Sequence, residues 1–308
     1  MRALITGGAG FIGSHLAERL ISNGWDAVVL DNLTTGLEEN VPCGVNLVVG
    51  NAMDSDILDS LIPGCDAIFH LAAVSSVQES LDKPLEVHDI NLTMTLGLLE
   101  AAVRHKVKRF VFSSSAAVYG DTAGQAARED MTPRPLSHYA VQKLASEHYC
   151  MVYRRLYGLN AICLRYFNIF GPRQRADSPY SGVIARFIDF AKHEKPLTIY
   201  GDGSQLRDFC PVANVVSANI AAATIVQTSS DFGIFNIGTG RSISLANLAA
   251  TISSACTAPL ELVFGPARLG EIHTSTADIE SARQKLGFQP IHSFECAIQE
   301  LMKFYSVN

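Results

Sequence analysis

Short apolar runs alternate with segments of helical period along the first half of the chain. The apolar runs predict β-strands at residues 2–6, 27–30, 47–49, 67–71, 110–112 and 161–165. Segments with apolar residues at helical spacing lie between them, at 14–21, 53–61, 91–103 and around Tyr139. This alternation is typical of an α/β fold with a doubly wound parallel sheet. Ligands of such sheets lie beyond the carboxyl ends of the strands, so the residues that follow each run are the candidates for function.

The pattern becomes less regular after Gly171-Pro172, where proline and glycine are more frequent. Strand-and-turn units are predicted at 197–203, 205–209 and 235–240, with a helix at 245–255 and a final helix at 279–286. We therefore predict a Rossmann-type domain over 1–170, to which a segment near 210–240 returns, and a smaller C-terminal α/β domain over 171–308.

Composition narrows the class of protein. The chain has 308 residues, of which 48% are apolar, and this is enough to bury a large core. Charged residues make up 18%, and the formal charge is -6. We see no basic block, no apolar run of membrane-spanning length and no leader pattern, and so expect a soluble, cytoplasmic protein that binds neither nucleic acid nor a membrane. Seven scattered cysteines and nine histidines show no ligand spacing, which argues against disulfides and against a metal site.

Three glycines, Gly7, Gly10 and Gly13, lie between the first predicted strand and the first predicted helix. Glycines permit a tight turn and let backbone N–H groups approach a pyrophosphate at the start of the helix. Asp31 ends the second strand, where its carboxylate can accept hydrogen bonds from an adenosine ribose and would repel a 2′-phosphate. The sequence therefore predicts a dinucleotide site that favours NAD over NADP.

Small and polar residues follow the next strands. Asn51 is placed to bond the edge of an adenine, and Ala72 and Ala73 would let a cofactor lie against the backbone. The run Ser113-Ser114-Ser115 puts hydroxyls at the end of the fifth strand. No Gly-x-Ser-x-Gly motif surrounds these serines, so a hydrolase triad is disfavoured.

Tyr139 and Lys143 are spaced by one helical turn, which places a phenol and an ammonium on the same face of a helix. A tyrosine with an ordinary pKa of about 10 is a poor base at neutral pH. A cation held beside it favours the phenolate, so we expect Lys143 to lower the pKa of Tyr139. The pair is a candidate for proton transfer.

Several longer motifs accompany this pair from one end of the chain to the other. They are TGGAGFIGSH at 6–15, LDNL at 30–33, SSSAAVYG at 113–120, LRYFN at 164–168, YGDG at 200–203, RDF at 207–209 and RLGE at 268–271. With them the chain resembles the extended short-chain dehydrogenase/reductase family and, within it, the UDP-hexose 4-epimerases. The resemblance implies NAD as cofactor, a UDP-sugar as substrate, and a homodimer formed through the helices near 91–103 and 139–157.

The resemblance also implies roles for individual residues. Tyr139 would take the proton from the sugar 4-hydroxyl, Lys143 would assist it and hold the nicotinamide ribose, and Ser115, with Ser114 as the alternative, would bond the same hydroxyl. The cofactor-binding residues would be Gly7, Gly10, Phe11, Ile12, Gly13, Asp31, Asn32, Asn51, Ala52, Leu71, Ala72, Ala73, Ser113, Tyr139, Lys143 and Tyr166. The substrate-binding residues would be Ser75, Ser115, Tyr139, Asn168, Val183, Tyr200, Arg207, Arg268, Glu271 and Ser275, with the two arginines on the diphosphate.

Three positions bear on the substrate and the reaction. Related dehydratases and decarboxylases carry an acid in the segment where this chain has Ala116 and Ala117, so simple epimerisation is favoured. Ser275, seven residues after Arg268, is small where epimerases restricted to glucose and galactose carry tyrosine. We therefore predict interconversion of UDP-GlcNAc and UDP-GalNAc, with or without the UDP-glucose pair. The alternatives are a UDP-glucose 4-epimerase without N-acetyl preference, a decarboxylase, a dehydratase, a net NAD-dependent oxidoreductase and a non-catalytic NAD-binding protein.

Overall fold

The computed structural model describes residues 1–175, 182–225, 233–257, 259–267 and 272–307. The strands are β1 (Arg2–Thr6), β2 (Asp26–Asp31), β3 (Asn46–Val49), β4 (Ala67–His70), β5 (Arg109–Ser115), β6 (Asn160–Tyr166), β7 (Ile169–Phe170), β8 (Leu197–Tyr200), β9 (Leu206–Arg207), β10 (Cys210–Pro211), β11 (Ile234–Ile237), β12 (Ile243–Ser244), β13 (Leu262–Gly265) and β14 (Thr274–Ser275). The α-helices are α1 (Phe11–Ser22), α2 (Ser55–Leu61), α3 (Val77–Asp82), α4 (Pro84–His88), α5 (Met94–Arg104), α6 (His138–Tyr157), α7 (Val183–Lys192), α8 (Val212–Thr224), α9 (Leu245–Ser254), α10 (Glu280–Leu286) and α11 (Phe294–Phe304).

A seven-stranded parallel sheet, in the order β11-β6-β5-β4-β1-β2-β3, forms the centre of the fold. Helices α1, α8 and α10 cover one face, and α2, α5 and α6 cover the other. Alternate strand residues serve the two faces, as Ile5 and Leu4 do on β1. Burial on both sides explains why these strands read as continuous apolar runs. The predicted α/β fold class with a doubly wound parallel sheet is confirmed.

Three small sheets and a third apolar cluster lie mainly in the second half of the chain. The sheets pair β10 with β7, β13 with β8, and β9 with both β12 and β14. The cluster is built largely on α7, α9 and α11 around Phe187, Leu248 and Ile298. Strand β11 pairs with β6 on the edge of the large sheet. The division into two domains at about residue 170 stays a prediction.

The prediction that residues 279–286 form the last helix is wrong. Helix α11 follows it and buries Phe294, Ile298 and Leu301. Its N-cap is Ser293, whose hydroxyl accepts a hydrogen bond from the Cys296 N–H at 3.2 Å. Helices α7 and α8 were also absent from the prediction. The valines and alanines of α8 lie on nearly all sides of the helix. The segment therefore lacks the amphipathic period that would distinguish a helix from a buried strand.

None of the helices in the described part of the chain combines the length and the apolar character that crossing a bilayer requires. Within the same residues, no cluster of three histidine, cysteine or acidic side chains is arranged to hold a metal ion.

Candidate active site

The glycine turn connects β1 to α1 at the carboxyl edge of the large sheet. Gly7 adopts a left-handed backbone with φ of 71°, and a Cβ there would lie 2.6 Å from the Ala72 nitrogen. A Cβ on Gly13 would lie 2.2 Å from the Gly7 oxygen, so helix and turn pack at a distance that only glycine allows. Helix α1 starts without a side-chain cap on its N-terminal N–H groups. The N-terminus therefore presents backbone donors in a concave turn that an anionic group can approach.

Asp31 lies beside this turn at the end of β2. Its carboxylate is buried and accepts hydrogen bonds from the N–H groups of Ala9, at 3.0 Å, and Leu33, at 2.9 Å. The neighbouring Asn32 accepts from Thr34. Asp31 thus joins the glycine turn to the loop after β2, in addition to the ribose contact predicted for it.

The other residues predicted to bind cofactor follow the next strands. Asn51 is exposed, and its side-chain oxygen accepts from the Met53 N–H at 3.0 Å, while Ala52 is buried. Leu71, Ala72 and Ala73 are half-buried in the loop after β4. The Ala72 backbone lies against Gly7, which brings this loop to the rim of the glycine turn.

The three consecutive serines at the end of β5 have different partners. The Ser114 hydroxyl donates to Glu147 at 2.5 Å, within the protein interior. The Ser115 hydroxyl hydrogen-bonds Tyr139 and accepts from the Ala117 N–H at 3.2 Å. Successive strand residues point to opposite faces, which is why only one of the two can reach Tyr139. Of the two serines offered for catalysis, the geometry favours Ser115.

Helix α6 presents Tyr139 and Lys143 on its buried face. Ser137 is the N-cap of the helix, and its hydroxyl accepts from the Ala140 N–H at 3.2 Å. The Tyr139 N–H donates to the Ser80 hydroxyl at 3.1 Å. Both contacts fix the first turn of α6, and with it the depth at which the phenol enters the site.

The electrostatics of the pair differ from the expectation. Tyr139 is 8% exposed, and burial raises its pKa above the usual value because the phenolate would lose its hydration, while the Ser115 hydrogen bond opposes that rise. The Lys143 Nζ lies 5.9 Å from the centre of the Tyr139 ring. The prediction that Lys143 lowers the pKa of Tyr139 is therefore wrong, because burial raises that pKa.

Lys143 carries its charge in an almost closed environment. Its side chain is 3% exposed, and burial lowers its pKa to about 8. Its Nζ donates to the Ser113 carbonyl at 2.8 Å and lies 4.8 Å from the centre of the Phe112 ring. The ammonium is thus held against the end of β5, beside the serines.

A cavity of about 360 Å³ opens beside Ser115. Tyr166 and Asn168, at the end of β6, and Arg207 and Ser275, on β9 and β14, also line it. Five residues that were predicted separately along the sequence therefore share one cavity. The remaining lining residues are Ala116, Ala117, Tyr119, Gly120, Thr122, Ala127, Phe167, Ile272, Thr274 and Thr276. No carboxylate is among the described side chains that line it.

Among the described residues, four others predicted to bind substrate do not line this cavity: Ser75, Tyr139, Val183 and Tyr200. Ser75 is exposed in the loop after β4, Val183 is the first residue of α7, and Tyr200 is the last residue of β8. Arg268 and Glu271 lie outside the described residues.

Sequence reasoning missed a buried ion pair beneath the catalytic candidates. Glu147 and Arg165 meet at 2.7 Å with their side chains 1% and 3% exposed. Glu147 lies one turn after Lys143 on α6 and also receives the Ser114 hydroxyl. The spacing of four residues from Lys143 was the available signal, since it puts Glu147 on the same buried face.

Among the cavity residues, Phe167 and Thr276 adjoin predicted positions, whereas nothing in the sequence pointed to Thr122.

Comparisons with known proteins agree with this geometry. Residues 3–238 match the NAD dependent epimerase/dehydratase family. The UDP-glucose 4-epimerase of Mycolicibacterium smegmatis is 37% identical over 99% of this chain and 98% of that protein. The structure of the Thermotoga maritima UDP-glucose 4-epimerase with UDP-glucose is similar, with a TM-score of 0.94, 34% identity and 99% of each chain covered. So is that of the UDP-N-acetylglucosamine 4-epimerase from Methanobrevibacter ruminantium M1 in complex with UDP-N-acetylmuramic acid, with a TM-score of 0.93, 35% identity and 99% and 98% coverage.

Proposed function

This chain belongs to the NAD dependent epimerase/dehydratase family, and on that premise we propose that it inverts carbon 4 of a UDP-linked hexose. One observation carries the proposal: Ser115, which hydrogen-bonds the buried Tyr139, lines a cavity that Arg207 also lines. The hydrogen-bond partner of the proton-transfer group and a cation suited to a diphosphate thus face the same space.

The glycine turn fits NAD on its own geometry, because it leaves the N-terminal donors of α1 accessible where a Cβ on Gly7 or Gly13 could not be accommodated. NAD, when bound, supplies a nicotinamide that accepts a hydride and returns it. We assign the pyrophosphate to the residues from Gly7 to Gly13, the adenosine to Asp31, Asn32, Asn51 and Ala52, and the remaining contacts to Leu71, Ala72, Ala73, Ser113, Lys143 and Tyr166.

The residues of this chain account for the proton transfers. Tyr139 takes the proton from the sugar 4-hydroxyl, which Ser115 orients, and the substrate becomes a 4-keto sugar. After the sugar has turned over, the same phenol returns the proton to the oxygen of the epimer. Lys143, whose Nζ donates to the Ser113 carbonyl beside these serines, would hold the nicotinamide ribose. The hydride that leaves C4 would be held by NAD and returned to the same carbon from the opposite face of the sugar, so no net oxidation occurs.

The cavity supports an epimerase over the reactions that need an additional acid. Ala116 and Ala117 line it, and none of its described lining side chains is a carboxylate. A dehydratase or decarboxylase that relies on an acid from this segment would lack it. We therefore keep C4 epimerisation as the function.

We further propose that the chain interconverts UDP-GlcNAc and UDP-GalNAc. Ser275 contributes a small, half-buried side chain to the cavity wall, and Ala116, Ala117 and Gly120 are small as well. These positions leave room for an acetamido group on the hexose. A UDP-glucose 4-epimerase without N-acetyl preference is the second candidate, and the M. smegmatis relative favours it.

The substrate proposal is tested by incubating the purified protein separately with UDP-GlcNAc, UDP-GalNAc, UDP-glucose and UDP-galactose, without added NAD, and identifying the products by NMR. We expect each N-acetylated sugar to yield its C4 epimer. Turnover of the glucose pair alone would remove the N-acetyl preference and leave the epimerase. Accumulation of NADH in step with product would instead indicate a net oxidoreductase.

We also propose that the protein is a homodimer that uses α6. Val141, Tyr149, Val152 and Leu156 recur at helical spacing on this helix and are between 39% and 67% exposed. Such an apolar stripe is typical of a covered surface. Val152→Glu together with Leu156→Glu should give a monomer in sedimentation experiments in which the wild type is a dimer. A monomeric wild type would contradict the proposal.

A further inference from the structure

Asp208 is fully buried beside the substrate cavity without lining it. Its carboxylate accepts four hydrogen bonds. Oδ1 receives the Thr239 N–H at 2.8 Å and the Thr239 hydroxyl at 2.6 Å. Oδ2 receives the N–H groups of Gly240 at 2.9 Å and Ala277 at 3.2 Å. Hydrogen bonds to a charged acceptor are the strong ones, so these contacts join the turn after β11 to the segment after β14.

The backbone of Asp208 is tied to the cavity wall as well. Its N–H donates to the Ser275 carbonyl at 2.8 Å, and its carbonyl accepts from the Asn168 side-chain amide at 3.1 Å. Arg207 is its neighbour in the chain. Three residues that line the cavity, Asn168, Arg207 and Ser275, therefore converge on Asp208 from three different segments.

The surroundings leave the carboxylate little freedom to move. A Cβ on Gly238 would lie 2.7 Å from Oδ2, so the turn after β11 closes directly over it. Burial opposes the charged form and raises the pKa of Asp208, and the bonds from Thr239, Ala277 and Gly240 counter that rise. Asparagine has nearly the same shape, but it would put an NH₂ group against N–H donors. One of the clamped segments would then have to move.

We infer that Asp208 is a positioning residue for the nucleotide-sugar site, which holds Arg207 and Ser275 in place through the Thr239–Gly240 turn and Ala277. This inference rests on the proposed function. A positioning role can be distinguished from a general role in stability. Tyr139, Ser115 and the glycine turn belong to segments that Asp208 does not hold, so a local effect would leave them in place. Loss of the Asp208 carboxylate should therefore weaken binding of the nucleotide sugar and leave NAD retention unchanged.

The experiment measures the Kd of UDP by calorimetry, the NAD content per chain, and KM and kcat for the sugar nucleotide. Asp208→Asn should weaken UDP binding and raise KM by about tenfold, the effect of one lost charge-assisted hydrogen bond. Its NAD content and kcat should stay near wild type. Asp202→Asn is the matched control, because Asp202 is exposed and its carboxylate accepts only from Ser204 among the hydrogen bonds described.

A milder pair of variants keeps the inference testable where Asp208→Asn does not fold. Thr239→Val removes the hydroxyl that donates to Asp208 and should weaken UDP binding by about threefold, whereas Thr239→Ser retains it and should match wild type. Unchanged UDP affinity in Asp208→Asn, or in Thr239→Val where the first variant is unfolded, would overturn the inference. So would a parallel loss of UDP and NAD. If the wild type bound no UDP, the proposed function itself would fail, and this inference with it.

Discussion

Replacing Lys143 by methionine should change the pH dependence of folding as well as abolish catalysis. Lys143 is 3% exposed, its Nζ donates to the Ser113 carbonyl, and the carboxylate of Glu147 on the same helix is shared with Arg165. Burial, only partly offset by Cys150, Glu147 and Cys163, lowers the pKa of Lys143 from 10.5 to about 8. The folded chain therefore bears a free-energy cost for keeping this ammonium charged at neutral pH.

The size of that cost follows from linkage. Each tenfold change in a proton-binding constant is worth about 1.4 kcal/mol, so the lowered pKa corresponds to about 3 kcal/mol. Between pH 8 and 10.5 the unfolded chain binds the Lys143 proton and the folded chain has released it. Stability contributed by this group must therefore rise with pH across that window and fall as the pH drops through it. Lys143→Met has no such group.

Urea unfolding of both proteins, freed of NAD and compared at constant ionic strength from pH 7 to pH 10, measures this effect. The free energy of unfolding of the wild type should rise relative to the variant by about 2 to 3 kcal/mol across the range. Other titrating groups are common to both proteins and cancel in the difference. If the difference in the free energy of unfolding between the two proteins were independent of pH, the inference that burial lowers the pKa of Lys143 would be refuted.

Four further substitutions test separate parts of the site. Ser115→Ala should lower kcat about 100-fold, whereas Ser114→Ala should mainly cost about 1 kcal/mol of stability, and kinetics with urea unfolding would show any reversal of these effects. Gly13→Ala would put a Cβ 2.2 Å from the Gly7 oxygen, so the purified protein should carry less than about a tenth of the wild-type NAD, measured by absorbance after acid release. Ser275→Tyr should reduce turnover of UDP-GlcNAc relative to UDP-glucose in an NMR assay, and unchanged turnover of the N-acetylated sugar would show that Ser275 is not the determinant.

The sequence predicted the centre of the fold because its signals there are local. Strands such as β1 and β4 are buried on both faces and read as apolar runs, and the glycine turn has its own spacing. Helix α8 was not predicted, because it is apolar on most sides and lacks an amphipathic period. Helix α11 was not predicted either, although Ser293 is a recognisable N-cap residue.

The site could be predicted only in part, for a similar reason. Period-two alternation implies that Ser114 and Ser115 point to opposite faces, but only the packing of α6 shows which of them meets Tyr139. The spacing of Tyr139 and Lys143 says nothing of how deeply both are buried, and burial is what raises the pKa of the tyrosine. The contacts of Asp208 join segments far apart in the chain, which no local pattern records.

The most direct test of the central claim compares Tyr139→Phe with the wild type at equal NAD content. If the Tyr139 hydroxyl carries the proton to and from the sugar oxygen, C4 epimerisation followed by NMR should fall by about 100- to 10,000-fold, because the phenyl ring preserves the packing and removes only the hydroxyl. UDP binding should remain close to that of the wild type. Epimer formation at the wild-type rate would contradict the account, since it would remove Tyr139 from the mechanism.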